Sequence, residues 1–359
     1  MTLTATTADQ FAGNLVGSMI GALDTWAIYV GDKLGLYDAF AQGGALTQPE
    51  LEARTGMQRR YAREWLEQQV TSGVLIVDDA AKPPLERVYE LPSSHATVLA
   101  DRDSLAFMLP FVRVVAAGGM QLPRHLEAYR RGGGVSWEQF GEDMRTGQAE
   151  TNRPWFMQEI GSTWFPAVPE LHASLQAGGR VADIGCGEGW SSIGIALAYP
   201  EARVDGYDVD APSIEAARRH AADAGVADRV RFHLADAAEA AQGEPYDAVT
   251  AFECIHDMPD PISVLRRMRE LVADDGVVLV MDEAVGDAFG QRNDEIERLM
   301  YGVSLFVCLP DGMSHAASVG TGTVMRPATL LGYAVDAGFT DLEVLPIDND
   351  LWRFYRLRQ

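Results

Sequence analysis

Cysteine, positive charge and long apolar runs are all scarce in this sequence. Its 359 residues include three cysteines, Cys186, Cys254 and Cys308, and an odd, widely spaced set favours a reducing compartment over a disulfide framework. Lysine and arginine total 29 against 52 acidic residues, so the formal net charge is -23. An acidic protein repels phosphate backbones, and we therefore expect no nucleic acid among its partners.

The sequence also lacks the features of a membrane or secreted protein. The most apolar stretch, residues 107–120, is interrupted by Pro110, Arg113 and glycines, so it does not suit a bilayer span. Residues 1–7 have neither the basic nor the apolar region of a signal peptide. A hydrophobic content of 47% is ordinary for a globular protein, and we expect a cytoplasmic one without membrane contact.

The most informative stretch that is present is Val181-Ala-Asp-Ile-Gly-Cys-Gly-Glu-Gly189. Its short apolar run, alternate glycines and subsequent helical pattern predict a buried strand, a tight turn and a helix N-terminus. Glycine lets a ligand approach the main chain closely, and the first N–H groups of a helix are unpaired. A dinucleotide-binding loop would carry a third glycine where Trp190 stands, which opposes an NAD-dependent oxidoreductase.

Two further strands end in acidic residues at the distances expected for a nucleoside site. Residues 201–208 end at Asp208, which could accept both ribose hydroxyls, and residues 229–237 end in Asp236-Ala237. With the glycine loop, these stretches resemble motif I and its successors in the class I S-adenosylmethionine (SAM) methyltransferases. The alternative is an ordinary strand-helix turn with acidic helix caps.

The resemblance implies SAM as the cofactor, with Asp236 and Ala237 at the adenine and Phe252 packing on the adenine or the substrate. The other implied cofactor residues are Asp183, Gly185, Cys186, Gly187, Asp208 and Val209.

Alternating strands and helices over residues 178–359 predict the catalytic domain. We expect an α/β fold, a Rossmann-like sheet of seven strands with a terminal hairpin and an insertion at about 285–325. Ligands of such sheets bind outside the carboxyl ends of the strands. Residues 101–177, rich in methionine and aromatic residues, predict a helical linker and substrate lid.

Residues 1–100 predict an N-terminal helical domain of winged-helix type. A long helix at about 11–42 and two more helices precede two short strands, Val74–Val77 and Arg87–Leu91. Seven Lys/Arg against twelve Asp/Glu give this region a net charge of 7 − 12 = −5. We therefore expect a dimerisation module and one wall of the substrate pocket rather than a DNA-binding domain.

The stretch from Phe252 to Asp260 resembles the H-D-x-x-D segment of the winged-helix small-molecule O-methyltransferases. The resemblance implies His256 as the general base and Asp282 as the carboxylate that orients it, while Asp257 is either the acting group or a helix cap. A histidine suits deprotonation of a hydroxyl because its pKa lies near working pH. The family's second orienting carboxylate is not evident, since Val324-Met325 stand near its place.

The resemblance extends over nearly the whole chain. It implies a homodimeric SAM-dependent methyltransferase of small apolar or aromatic metabolites, of the kind found in secondary metabolism, acting by O-methylation. Two alternatives remain: C- or N-methylation, with or without a metal, and a SAM-binding winged-helix regulator. A metal set of His256, Cys308 and His315 has no diagnostic spacing, so we expect no metal.

Overall fold

The computed structural model describes residues 6–240, 243–292 and 294–359. The chain divides into two compact units, Met1–Ala116 and Ala117–Gln359. The helices are α1 (Ala8–Lys33), α2 (Leu36–Gly43), α3 (Gln48–Thr55), α4 (Arg59–Thr71), α5 (Ser93–Leu99), α6 (Leu109–Met120), α7 (Leu122–Arg131), α8 (Trp137–Phe140), α9 (Glu142–Glu159), α10 (Pro169–Gln176), α11 (Trp190–Ala198), α12 (Ala211–Asp223), α13 (Pro261–Leu271), α14 (Glu295–Val303), α15 (Leu309–Gly312) and α16 (Pro327–Asp336). The strands are β1 (Leu46–Thr47), β2 (Ile76–Val77), β3 (Val88–Glu90), β4 (Arg180–Ile184), β5 (Arg203–Asp208), β6 (Val230–Leu234), β7 (Tyr246–Phe252), β8 (Val272–Glu283), β9 (Asp341–Val344) and β10 (Trp352–Arg358).

The first unit combines helices with a small antiparallel sheet, in which β3 pairs with both β1 and β2. The predicted single helix at 11–42 was wrong: α1 and α2 are separate, because Gly35 between them adopts a φ of +65°. The two predicted strands are present and pair with each other, but they are shorter than expected, with Val77 opposite Tyr89. Strand β1 was not predicted, since two residues are too few to give a pattern.

The second unit contains the predicted seven-stranded sheet. Its strand order is β6-β5-β4-β7-β8-β10-β9. The first five strands are parallel, and β10 runs antiparallel to both β8 and β9. The chain reverses its direction of winding between β4 and β7, which is where such sheets bind ligands.

Both faces of the sheet are covered, as the alternation along β8 illustrates. Val277, Leu279 and Met281 belong to the core on one face, and Val278 and Val280 to the core on the other. Neighbouring side chains of a strand point to opposite faces. Each fully buried side chain of this size contributes about 1.5–3 kcal/mol, so the sheet forms a firm base for the loops at its carboxyl edge.

The predicted insertion at about 285–325, of which Asn293 lies outside the described residues, contains α14 and α15. Its last part is docked on the segment after β7. Val319 N–H donates to Pro259 O at 3.0 Å, and Gly322 N–H donates to His256 O at 3.1 Å. Across the described residues, each helix is too short or too polar to cross a bilayer.

Candidate active site

Glycines form a tight turn at the carboxyl end of β4. Gly185 and Gly187 adopt φ of +66° and +50°, a region that other residues rarely enter. A Cβ on Gly185 would lie 2.7 Å from Cys254 Sγ, whereas one on Gly187 would have nothing within 4 Å. The turn is therefore packed against the protein at Gly185 and open at Gly187, where a ligand can approach the main chain.

Asp208, the last residue of β5, contacts this turn. Its Oδ2 accepts a hydrogen bond from Gly187 N–H, and its Oδ1 accepts one from Asp210 N–H, both at 2.8 Å. Burial raises the pKa of Asp208, and the two amide donors offset only part of that rise. A carboxylate offers about four acceptor sites, so Asp208 keeps acceptor capacity for the hydroxyls of a ribose.

Asp183 is buried and hydrogen-bonded within the protein. Its Oδ2 accepts from the hydroxyls of Ser191 and Ser192 at 2.6 Å each, and its Oδ1 accepts from Thr250 Oγ1 at 3.0 Å. Burial raises the pKa of Asp183. These bonds tie β4 to the first turn of α11 and to β7, so Asp183 supports the turn, while its contact with the cofactor stays a prediction.

The other predicted cofactor residues lie around the same edge of the sheet. Cys186 is buried in the turn and Val209 is exposed after β5. Asp236 is exposed after β6, where its Oδ1 accepts from Ala238 N–H at 2.9 Å, and Ala237 beside it is buried. The ring of Phe252 is buried at the end of β7, with its centroid 5.4 Å from that of Phe156. Their cofactor roles stay predictions.

The segment after β7 places His256 among three carboxylates. Its Nδ1 lies 2.9 Å from Asp282 Oδ1 and 3.1 Å from Glu283 Oε2, and its Nε2 lies 3.2 Å from Asp257 Oδ1. His256 is 2% exposed and Asp282 is fully buried. The structure therefore brings together the three predicted catalytic residues, and it adds Glu283.

These carboxylates decide the charge of the imidazole. Burial alone would lower the pKa of His256, but Asp257, Asp282 and Glu283 outweigh it and hold that pKa well above the ordinary value. Burial acts to raise the pKa of Asp282, yet the charge of His256 and its hydrogen bond outweigh burial, so that pKa is lowered. The pKa of Glu283 is raised, chiefly by burial. The two shifts favour the charged forms of both partners, an imidazolium at His256 and a carboxylate at Asp282.

Comparison with known proteins identifies both units. Residues 175–306 match the family model described as "Methyltransferase domain", and residues 22–101 match the "Rv2258c-like winged HTH domain". The "Ubiquinone biosynthesis O-methyltransferase" of Stutzerimonas stutzeri (strain A1501) is 38% identical over 191 residues, which are 52% of this chain and 75% of that protein. The chain is a class I SAM-dependent methyltransferase.

Solved structures agree with this fold over the whole length of the methyltransferase. The "Mitomycin 7-O-methyltransferase MmcR" has a TM-score of 0.72 at 21% identity, covering 98% of this chain and 99% of that one. The human N-acetylserotonin methyltransferase in complex with SAM has a TM-score of 0.66 at 19% identity, covering 100% of this chain and 99% of that one. The predicted fold class, a Rossmann-like sheet with an N-terminal winged helix, is confirmed.

SAM is the cofactor of this methyltransferase, as predicted, and the turn after β4 fits it. The open main chain at Gly187 leaves room for a ligand, and the Asp208 carboxylate beside it has free acceptor sites for a nucleoside. These two residues are the ones that the geometry best supports as cofactor contacts.

Glu283 is the residue that sequence reasoning missed. A second carboxylate for the histidine was sought near Val324-Met325, whereas Glu283, next to Asp282 in the chain, reaches His256. Side chains alternate along a strand, so neighbours are not expected at one imidazole. The two consecutive acids at the end of β8 were the available signal.

Two other histidines and two sets of possible metal ligands complete the description of the site. His233 Nε2 lies 2.8 Å from Asp205 Oδ1 at the edge of the sheet, in keeping with a structural role, and His315 is exposed. Ligand atoms of His256, Asp257 and Cys308 lie within 4.8 Å of one another, as do those of His256, Asp282 and Glu283. These two groups are where a metal ion could be held.

Proposed function

We propose that the methyltransferase transfers the methyl group of SAM to a hydroxyl oxygen of a small apolar or aromatic metabolite. The observation that carries the proposal is the buried contact between His256 Nδ1 and Asp282 Oδ1 at the carboxyl edge of the sheet. A histidine oriented by a carboxylate is the arrangement that removes a proton from a hydroxyl. The names of the relatives above, which include O-methyltransferases, support the same chemistry.

The residues divide the work between binding and proton removal. Bound SAM supplies a methyl group that is already activated by its sulfonium. Asp208 and Gly187 hold the nucleoside and so position the methyl group for transfer. His256 takes the hydroxyl proton at Nε2, while Asp282 at Nδ1 fixes the tautomer and stabilises the resulting imidazolium. Asp257, 3.2 Å from Nε2, is placed to orient the acceptor or to receive the proton from the ring.

His256 must be neutral to accept this proton. Its raised pKa means that the neutral form is less populated than in an ordinary histidine and grows as the pH rises. The proposal therefore includes a base whose neutral fraction increases with rising pH or when an acceptor weakens the contact with Asp257.

We also propose that the enzyme is a cytoplasmic homodimer assembled through α1. This helix exposes an apolar stripe at helical spacing, formed by Phe11, Leu15, Met19, Leu23 and Trp26, each 50–63% exposed. Apolar surface of this extent is typical of an interface. Its three cysteines are free thiols in the structure, in keeping with a reducing compartment.

A DNA-binding regulator is less well supported by α4, the arginine-bearing helix of the winged unit. Arg60 pairs with Glu64 and Arg63 with Glu67 on the same helix. Arginines neutralised in this way offer little net charge to phosphates, which supply most of such affinity.

His256→Ala tests the methyl transfer. With SAM and a panel of catechols, hydroquinones and substituted phenols, we expect kcat for the best acceptor to fall about 10²- to 10⁴-fold, the usual contribution of a general base. Calorimetric binding of S-adenosylhomocysteine should stay within about twofold of wild type, because the nucleoside contacts are elsewhere.

His315→Ala, which changes an exposed histidine, is the control and should leave kcat unchanged. Turnover that survives in His256→Ala would instead favour transfer to carbon or nitrogen. A wild type that binds SAM yet methylates no phenol would contradict the proposal.

The dimer is tested by sedimentation velocity of Leu15→Asp combined with Leu23→Asp. A charge buried on both sides of an interface is costly, so we expect a dimeric wild type and a monomeric variant. Leu85→Asp, at an apolar residue with 47% exposure outside α1, is the matched control and should remain dimeric. A monomeric wild type would refute this part of the proposal.

A further inference from the structure

Helix α9 presents three polar side chains on one face. Arg145, Gln148 and Asn152 are three and four residues apart, which places them one above another along a helix. Each reaches an acidic residue that follows a strand of the sheet: Asp210, just after β5, or Glu253, directly after β7. One helix face therefore contacts both the cofactor side and the acceptor side of the ligand edge.

The contact on the cofactor side is a two-pronged ion pair. Arg145 Nε lies 2.7 Å from Asp210 Oδ2, and Arg145 Nη2 lies 3.0 Å from Asp210 Oδ1. The two side chains are only 11% and 12% exposed, so solvent screens the pair weakly. Asp210 in turn caps α12 through Ser213 N–H at 3.0 Å and donates its own N–H to Asp208 Oδ1 at 2.8 Å. Arg145 is thus connected through Asp210 to Asp208, the predicted ribose acid.

The contact on the acceptor side is made by Glu253, which has an unusual main chain. Its φ is +51°, and among the described residues it is the one non-glycine residue with positive φ. This conformation costs free energy for a residue with a Cβ and persists where the surroundings enforce it. Strain of this kind is concentrated at functional sites.

Three donors fix the Glu253 carboxylate. Gln148 Nε2 lies 3.3 Å from its Oε2, Asn152 Nδ2 donates to the same oxygen, and Trp352 Nε1 of β10 donates to Oε1. The main-chain N–H of Glu253 donates to Met281 O of β8 at 2.8 Å. Burial raises the pKa of Glu253 to about 7, although the side-chain donors lower it. The side chain is therefore held by elements far apart in sequence, only three residues before His256.

We propose that the Arg145–Gln148–Asn152 face makes α9 a positioning helix for methyl transfer. Through Asp210 it fixes the acid that holds the nucleoside, and through Glu253 it fixes the segment that carries His256. The second half of this inference rests on the function proposed above. None of these residues is assigned a contact with the reacting atoms, and their effect is transmitted through Asp208 and His256.

The two halves predict different losses. Arg145→Met removes the charge and both hydrogen bonds but retains a long unbranched side chain. We expect calorimetry to show S-adenosylhomocysteine bound about tenfold more weakly, because Asp210 no longer holds Asp208 in place. Arg219→Met is the matched control, since Arg219 lies on α12 and pairs with Glu215 at the exposed surface. It should bind as wild type does.

Glu253→Gln should change S-adenosylhomocysteine affinity less than about twofold. In protein labelled with ¹⁵N at histidine, however, we expect the imidazole resonances of His256, assigned from the His256→Ala spectrum, to move. The double change Glu253→Gln with Asn152→Asp should restore them, because the new amide can donate to the new carboxylate. Glu215→Gln is the matched control. A role in packing alone would be neither limited to one signal nor rescued by exchanging donor and acceptor.

Thermal unfolding of each variant separates misfolding from these effects. If Arg145→Met does not fold, Arg145→Lys, which retains the charge without the paired geometry, should show a smaller loss of affinity. Wild-type affinity in a folded Arg145 variant, or unchanged His256 resonances in Glu253→Gln, would overturn the inference. A wild type that does not bind S-adenosylhomocysteine would instead refute the cofactor site itself.

Discussion

The two sides of the ligand edge use acidic residues in opposite ways. At the ends of β4 and β5, Asp183 and Asp208 accept hydrogen bonds from hydroxyl and main-chain donors. At the ends of β7 and β8, Asp257, Asp282 and Glu283 surround one imidazole, and each has a buried oxygen without a hydrogen-bond partner in the described part of the chain. On the first side, which we call the binding side, the protein supplies donors to both acids, and Asp208 keeps free acceptor sites. The second side, which we call the reacting side, is short of donors.

This difference in hydrogen-bond donors distinguishes a side suited to binding the cofactor from a side suited to proton transfer. A buried polar atom left without a partner costs about 1–3 kcal/mol, so folding stability alone does not favour the cluster around His256. Several carboxylates crowded around one buried histidine, with the pKa values of His256 and Glu283 both raised, are instead characteristic of proton-transfer sites. The binding side, where the main chain itself supplies donors, is suited to binding the same ligand in the same pose at each turnover.

Asp208→Ala would disrupt the binding side and should cause the largest loss of cofactor affinity expected there. We predict that S-adenosylhomocysteine binds about 100-fold more weakly, since hydrogen bonds to a charged group contribute about 1.5–3 kcal/mol each and each 1.4 kcal/mol is a factor of ten. Titration calorimetry measures the loss directly. Asp223→Ala, at the exposed end of α12, should bind normally.

The same experiment separates the two sides. The His256 imidazole resonances should stay close to wild type in Asp208→Ala, because the hydrogen bonds of Asp208 go to Gly187 and Asp210. Affinity that survives the change would mean that another acid holds the ribose, and the proposed cofactor geometry would then fail.

The binding side was largely predictable from sequence because its turn and its ribose acid lie in neighbouring stretches of the chain. Alternate glycines, a strand and an acid at the end of the next strand are main-chain features, and their spacing is visible in one dimension. Gly187 and Asp208 were therefore placed together before any contact between them was known. The seven strands followed from their apolar runs in the same way.

The reacting side was less predictable because its contacts join distant parts of the chain. Gln148 and Asn152 precede their partner Glu253 by 105 and 101 residues, and no periodic pattern connects them. The contact of Glu283 with His256 occurs at the end of β8, where the usual alternation of side chains between the two faces no longer predicts which way a side chain points. The positive φ of Glu253 could not be predicted from the sequence either, because glycine is the residue that normally indicates such a conformation.

Activity against pH would sharpen the comparison, with a smaller effect. A base must be deprotonated, and the pKa of His256 is raised, so kcat/KM for the acceptor should rise about tenfold per pH unit below that pKa. The rising limb should therefore extend above pH 6.5, the ordinary pKa of histidine. Asp257→Asn removes one of the charges that raise this pKa, so its limb should shift to lower pH by a measurable part of a unit.

Using the same acceptor for wild type and Asp257→Asn cancels the ionisation of the acceptor itself, which leaves His256 as the source of any difference. Asp282→Asn should shift the limb in the same direction and also lower the plateau, because that carboxylate stabilises the imidazolium formed during transfer. Asp260→Asn is the control, since Asp260 caps α13 through Ser263 N–H at 3.0 Å and is exposed. If all four profiles coincide, the carboxylates around His256 do not set the protonation that limits the reaction. The reacting side would then serve only to hold its ligand, as the binding side does.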